Sequence, residues 1–343
     1  MSKKIEGDIV KWGILGVGDV CEVKSAPAMQ KIEGSEVVAV MRRNGRKAQN
    51  YAERHQVSKW YDKAEDLIND PEVNAIYIAT PPNAHEELTI SAAKAGKPVY
   101  VEKPMARSYA ECNRMIAACK KANVPLFVAY YRRCLPNFLK LKSLIETGVI
   151  GEVRLVKIEL YKTIDPNDSS SKIQKMPVNW RVDPDVSGGG YFFDLAAHQL
   201  DYLDFVFGPI KSAFGYAGNQ AGLYSAADII TSSYTFENGI QGIGSWCFTV
   251  DEMAQKDELT IIGTAGKLTI PFFGAAEIVL EKSDLKEKKI FEFDLPTHIQ
   301  QPLIQTIVDD LLGRGTSPST GLSAARTNWV MEEMTKNFYV KKL

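Results

Sequence analysis

Apolar residues in the first third of the chain come in short, nearly unbroken runs separated by helical patterns. The runs are residues 10–15, 36–41, 75–79, 98–101 and 126–130. They are too short for helices and apolar on both faces, as strands inside a parallel sheet are. Strands that alternate with helices read as repeated βαβ units. The helices carry end signals: Asp62 with Glu65, Asn83 with Glu86 and Ser108 with Glu111 fit capping boxes, and Gly96 fits the position just past a helix end. After Arg132 the pattern changes. Residues 153–162 alternate apolar and polar positions, as a half-buried strand does, and a polar stretch at 163–179 reads as a long loop. A helix over about 191–207, opened by Ser187-Gly-Gly-Gly190, leads to further alternating runs at 229–236, 240–249, 258–262 and 267–270. The turns Glu237-Asn-Gly239 and Gly263-Thr-Ala-Gly266 between them imply antiparallel neighbours. Helical segments at 300–312 and 322–337 close the chain.

This switch of pattern divides the 343 residues into an expected dinucleotide-binding domain, 1–131, and a substrate-binding and oligomerisation domain, 132–343. A formal net charge of −1 without long basic runs argues against a nucleic-acid partner and for a small-molecule ligand. Five cysteines without CxxC spacing suit reduced thiols, a cytoplasmic location and no metal site. The start, Met-Ser-Lys-Lys-Ile-Glu-Gly-Asp, runs directly into the first strand, so no signal peptide is expected, and no apolar run approaches membrane-spanning length.

Chemistry concentrates at the ends of the strands. Gly16-Val17-Gly18-Asp19-Val20-Cys21 follows the first strand and opens a helix, so its amides would approach a pyrophosphate. Cys21 stands where a third glycine or an alanine is usual. At the end of the second strand, Met41-Arg42-Arg43-Asn44 replaces the acid that would bind a ribose 2′-hydroxyl; two arginines suit a 2′-phosphate, or form a basic surface turn. NADP is therefore the expected cofactor, with NAD the alternative. Thr80-Pro81-Pro82-Asn83 ends the third run in a rigid turn that would wall a ring or phosphate, and His85, in the first turn of the helix that follows, would face the cofactor or pack in the cap region. Val99-Tyr-Val-Glu102-Lys103-Pro104 delivers a lysine to a strand end, where open α/β sheets bind ligands. Farther on, Asp194 and His198 stand at i and i+4 on one helix face, a carboxylate beside a group suited to general acid/base work. No Gly-x-Ser-x-Gly elbow or Walker A sequence occurs.

In order along the chain, the glycine turn, Ala79-Thr-Pro-Pro-Asn-Ala-His85, Ala95-Gly-Lys-Pro98, Glu102-Lys103-Pro104, Trp180-Arg181 and Gly188-Gly-Gly-Tyr-Phe-Phe-Asp194-Leu-Ala-Ala-His198 resemble the glucose-fructose oxidoreductase / inositol dehydrogenase family, Gfo/Idh/MocA. The resemblance implies an α/β Rossmann domain with a parallel sheet, then an α+β domain with an open, mainly antiparallel sheet. It implies hydride transfer between a nicotinamide and a carbon of a sugar, cyclitol or related polyol. Carried over, Lys103 would hydrogen-bond the reacting oxygen, Asp194 would position the substrate and His198 would move the proton. Trp180 and Arg181 would lie near nicotinamide and substrate, Glu102 and Tyr131 beside the cofactor, and Arg133 along the same cleft. Arg42 departs from NAD-dependent members, and His198 from members with tyrosine there. A redox-neutral, NAD-dependent glycosidase and a non-catalytic NADP sensor are the rival expectations; glycosidases of that kind tend to lose the Glu-Lys-Pro lysine, present here as Lys103, and a sensor has no need of Lys103, Asp194 and His198 together, so it ranks last. The open sheet face predicts a homodimer or homotetramer.

Overall fold

A computed structural model describes residues 4–163 and 179–339, so most of the expected loop at 163–179 lies outside the described residues. The chain forms two compact units, Met1–Tyr131 with Pro296–Ala325, and Arg132–Leu295 with Arg326–Leu343. The first thus takes back a segment from the far end of the chain, where the sequence pattern suggests two continuous blocks.

In the first unit, β1 (Val10–Leu15), β2 (Ser35–Met41), β3 (Lys59–Tyr61), β4 (Ala75–Ile78), β5 (Val99–Val101) and β6 (Leu126–Val128) form one parallel sheet in the order β3-β2-β1-β4-β5-β6. The order reverses between β1 and β4, which opens a crevice at their carboxyl ends. Trp12, Ile14, Ile76, Tyr77, Ile78 and Val101 are completely buried, as the continuous apolar runs require. The short β3, Lys-Trp-Tyr at the sheet edge, carries no such run and escapes the pattern. Of the three capping boxes only Ser108 caps, accepting from Glu111 N at 3.2 Å. The Glu111 carboxylate turns to Arg107 instead of closing the box. The helix Ala64–Asn69 starts after Lys63 without a side-chain cap, and Asn83 is absorbed into a 3-10 turn, Pro82–Ala84, set by the prolines. Gly96 does end its helix, at φ +71°, with Gly96 N on Ala93 O and Lys97 N on Ala92 O, the two bonds of a Schellman motif.

The returning segment supplies helix Gln301–Leu311, whose Leu303, Ile304, Ile307, Val308 and Leu311 are wholly buried. It also hydrogen-bonds β6 through Ser319, whose hydroxyl donates to Val128 O at 2.7 Å.

The second unit holds β7 (Val153–Tyr161), β8 (Ile210–Gly218), β9 (Ile229–Phe236), β10 (Gln241–Cys247), β11 (Lys256–Gly263), β12 (Lys267–Ile270), β13 (Glu277–Glu281) and β14 (Lys289–Glu292) in the order β14-β13-β12-β11-β7-β10-β9-β8. Every pairing is antiparallel except β7 with β10. Helix Gly190–Phe207 packs on one face, where Trp246 Nε1 donates to Gln199 Oε1 at 2.7 Å and Phe192 meets the Trp246 ring. Asn337 exchanges two bonds of 3.0 Å with the backbone of Ala217 on β8. Among the described residues, no helix is long and apolar enough to cross a membrane.

Candidate active site

In the first unit, Gly16 leaves β1 at φ +92°, and a Cβ there would stand 2.8 Å from Thr80 Cγ2, so the chain closes tightly on the end of β4. Only glycine meets both demands. Gly18, by contrast, has open space where its Cβ would be and begins the helix Asp19–Val23 without a side-chain cap. Val17 is buried, Asp19 is exposed and Val20 half-buried. Cys21 turns wholly inward, which answers its place at the third glycine position, and burial pushes its thiol up to about 12. Arg42 reaches back over this turn, with Nη1 donating to Val17 O at 3.2 Å, while Arg43 is exposed beside it. Asn44 caps the next helix by accepting from Lys47 N. Thr80 Oγ1 is buried without a hydrogen-bond partner among the described residues. An open glycine turn, two basic side chains and an orphaned hydroxyl fit a phosphate-bearing cofactor.

Two residues expected at that cofactor are committed inside the fold. His85 is fully buried, with Nε2 2.8 Å from Thr80 O and Nδ1 3.1 Å from Met105 O and 3.2 Å from Pro104 O. Burial lowers its pKa, against the pull of those carbonyls and of Glu102. The Glu102 carboxylate accepts from Tyr77 OH at 2.7 Å, Gln300 Nε2 at 2.8 Å and Lys103 N at 3.2 Å. Both side chains support the turns that carry Thr80 and Lys103 rather than reach out of them. Gln300 is a site-supporting residue the sequence reading did not find, since its partner lies 198 positions away. Lys103 itself is half-buried, at the end of β5 and before a cis peptide to Pro104. Pro82 is buried, Pro81 half-exposed, and Tyr131 is buried at the start of a 3-10 turn, Tyr131–Cys134.

In the second unit, a chain of caps sets the helix that carries Asp194 and His198. Asn179 accepts from Arg181 N at 3.1 Å, and Asp183 caps the short helix Pro184–Ser187. Ser187 Oγ then accepts from Gly190 N at 2.9 Å. Gly190 has φ +71°, and its Cβ would lie 2.5 Å from that of Ala226, so the helix begins against another stretch of backbone as its glycines suggest. Asp194 pairs with Arg181 at 3.4 Å, and the Arg181 guanidinium lies 4.5 Å from the Trp180 ring. His198 is 4% exposed and meets the Phe273 ring at 6.3 Å. Trp180, Arg181 and Asp194 therefore form one local group within this unit, with His198 one helical turn beyond Asp194.

Arg133, expected along the cleft, instead makes a bidentate pair with Asp201, Nε to Oδ2 at 2.8 Å and Nη2 to Oδ1 at 2.6 Å. Both side chains are under 4% exposed. Burial pushes the Asp201 carboxyl up to about 6, with Arg133 opposing. Among the described residues, no group of three or more His, Cys, Asp or Glu side chains is placed to hold a metal ion, and all five cysteines are free thiols.

Comparison with known proteins bears on both units. The GFO/IDH/MocA model described as an oxidoreductase family with an NAD-binding Rossmann fold matches residues 10–130, and the GFO/IDH/MocA C-terminal domain matches 138–269. An oxidoreductase of Formosa agariphila is 39% identical over 323 residues, covering 94% of this chain and 97% of that protein. Myo-inositol 2-dehydrogenase of Thermotoga maritima is 32% identical over 197 residues, 57% of this chain and 54% of its own length. Levoglucosan dehydrogenase, solved with NADH and levoglucosan, has the same fold, with a TM-score of 0.84 at 20% identity over 97% of this chain and 98% of that one. Matches to both domains, and a relative aligned over almost its full length, show that the chain belongs to the GFO/IDH/MocA family of NAD(P)-binding oxidoreductases.

Proposed function

We propose that this oxidoreductase prefers NADP and acts on a sugar, cyclitol or related polyol. The bound nicotinamide supplies or takes up the hydride. Amides of the Gly16–Gly18 turn hold the pyrophosphate, Arg42 and Arg43 the 2′-phosphate, and Thr80, Pro81 and Tyr131 line the cofactor. Lys103 hydrogen-bonds the oxygen on the reacting carbon and stabilises negative charge there. His198 takes or gives the proton of that hydroxyl, while Asp194, Trp180 and Arg181 orient the substrate. The first unit is the cofactor domain and the second the substrate domain. The second also joins copies into a dimer or tetramer through the sheet face bearing Phe214 and Tyr216, 60% and 66% exposed. Five free thiols support a cytoplasmic location.

The observation that carries this reading is Asp194 and His198 one turn apart on one helix, in a family chain that places Lys103 just after the end of β5. The names of two relatives, myo-inositol 2-dehydrogenase and levoglucosan dehydrogenase, support the substrate class. The test is a panel of sugars, inositols and alditols followed by NADPH and NADH absorbance. Lys103→Ala should lower turnover about a hundredfold or more, with cofactor affinity within about tenfold of wild type. Undiminished turnover in that variant overturns the assignment.

A further inference from the structure

The inner face of the second sheet is apolar until it reaches Lys162. Along β7, Val156, Ile158 and Leu160 are wholly buried at alternate positions. The same period of two carries Lys162 onto that face. The pairing continues there, with Lys162 N donating to Cys247 O at 2.8 Å. A row that packs beneath helix Gly190–Phe207 therefore ends in an ammonium group. This ammonium lies 5.9 Å from the centre of the Phe273 ring, and His198 is T-shaped against the same ring at 6.3 Å.

The surrounding charges are uneven. Arg132 also lies over Phe273, at 4.6 Å, and Arg181 stands beside Asp194. The carboxylates nearby are already engaged. Asp194 pairs with Arg181 at 3.4 Å, and Asp257 accepts from the amides of Phe272 at 3.0 Å and Phe273 at 2.6 Å. Among the described residues, half-buried Lys162 has no carboxylate within ion-pair distance, and its ammonium lies over the Phe273 ring. A neutral polyol needs no such charge, whereas a cation held against a low-dielectric aromatic wall attracts an anion strongly.

We propose that Lys162 is a specificity residue that receives an anionic group on the substrate, a carboxylate or phosphate ester, so that the polyol is a sugar acid or sugar phosphate. The proposal rests on the reading of His198 as the proton-transfer group, because Lys162 and His198 approach the same Phe273 ring.

The test compares D-glucuronate, D-gluconate and glucose 6-phosphate with D-glucose and myo-inositol, in wild type and in Lys162→Met, which keeps the stem and removes the charge. The anionic set should have kcat/KM at least tenfold above the neutral set in wild type. Lys162→Met should raise KM at least tenfold more for the anionic set than for the neutral set, with kcat changed far less. Added salt should raise KM for the anionic set alone. The carboxylate and phosphate arms tell which anion is held. Preference for neutral substrates, or equal losses on both sets, overturns the proposal. Calorimetry with D-glucuronate and myo-inositol on the full chain without cofactor separates this inference from the redox reading. Glucuronate binding that depends on Lys162 supports the anion site even if no polyol is turned over, and its absence overturns it. Lys103→Ala tests the redox reading alone.

Discussion

The two sheets spend their side chains differently. In the parallel sheet, β1, β4 and β5 are buried on both faces, so chemistry is confined to strand ends: Gly16 after β1, Thr80 after β4, Lys103 after β5. In the open sheet, burial alternates along β7 and β10, one face takes helix Gly190–Phe207, and the other presents Phe214, Tyr216 and Ile243 to solvent. There the candidate chemistry lies on the covering helix and on the one sheet face it packs against. A double-sided core leaves few places for a functional group and marks them by where an apolar run stops. A single-sided sheet leaves many places, and its alternation alone does not say which is used.

Five variants would break or sharpen this contrast. The largest effect is expected at the buried pair that fixes the helix of the second unit. Arg133→Met leaves Asp201 without its cation and should lower stability by about 3–5 kcal/mol near neutral pH, read by urea denaturation. The sign with pH follows from Asp201. Its folded pKa of about 6 lies above the ~3.9 of an unfolded aspartate. The folded state therefore binds the extra proton, and this group's contribution falls as pH rises from about 4 to about 6. Removing Arg133 raises the folded value further, so the deficit of the variant should grow with pH; a deficit that shrinks as pH rises contradicts the assigned pair.

A pair of glycines compares the two units directly. Gly190→Ala forces a Cβ into Ala226 and should cost about 1–3 kcal/mol of stability. Gly16→Ala carries left-handed strain of about 1–2 kcal/mol, and its main readout should be cofactor affinity, weakened tenfold or more by titration. Equal effects on melting temperature and on cofactor binding in both variants would erase the distinction between a structural and a ligand-facing glycine.

At the strand ends, Arg42→Asp should weaken NADPH at least tenfold and move preference toward NADH, since charge-assisted contacts are worth roughly 1.5–3 kcal/mol each. The wild-type preference should shrink as salt rises. Equal affinity for the two cofactors in the unmutated protein, measured by intrinsic fluorescence, would leave Arg42 and Arg43 as a solvated turn. The smallest effect on the fold itself belongs to the open face. Phe214→Ser with Tyr216→Ser should weaken self-association in light scattering while changing stability by less than about 0.5 kcal/mol per site. A monomeric wild type at micromolar concentration counts against this face as an interface.

Much of this protein was legible in its sequence, because the signals are local. Continuous apolar runs specified five strands of the first sheet, alternation specified β7, β9, β10, β11 and β12, and Gly16, Gly96 and Gly190 marked points where the backbone takes a positive φ. The family motifs are equally local, each a few residues long. β8, β13 and β14 were not legible: glycines and solvent-facing side chains interrupt the first, and β14 is mostly exposed.

What only the tertiary structure decided depends on residues far apart in the chain. The return of Pro296–Ala325 to the first unit, the bond from Gln300 to Glu102 and the parallel pairing of β7 with β10 leave no periodic trace, because each depends on a partner that adjacent residues do not encode. The fates of polar side chains were decided in the same way. His85, Glu102 and Arg133 have the composition of site residues, yet each is consumed by carbonyls, hydroxyls or a carboxylate that folding brings to it. A buried polar group must find partners wherever the fold supplies them. Sequence therefore determined which groups are present and which local shapes they adopt, and the packed structure determined which of them remained available for chemistry.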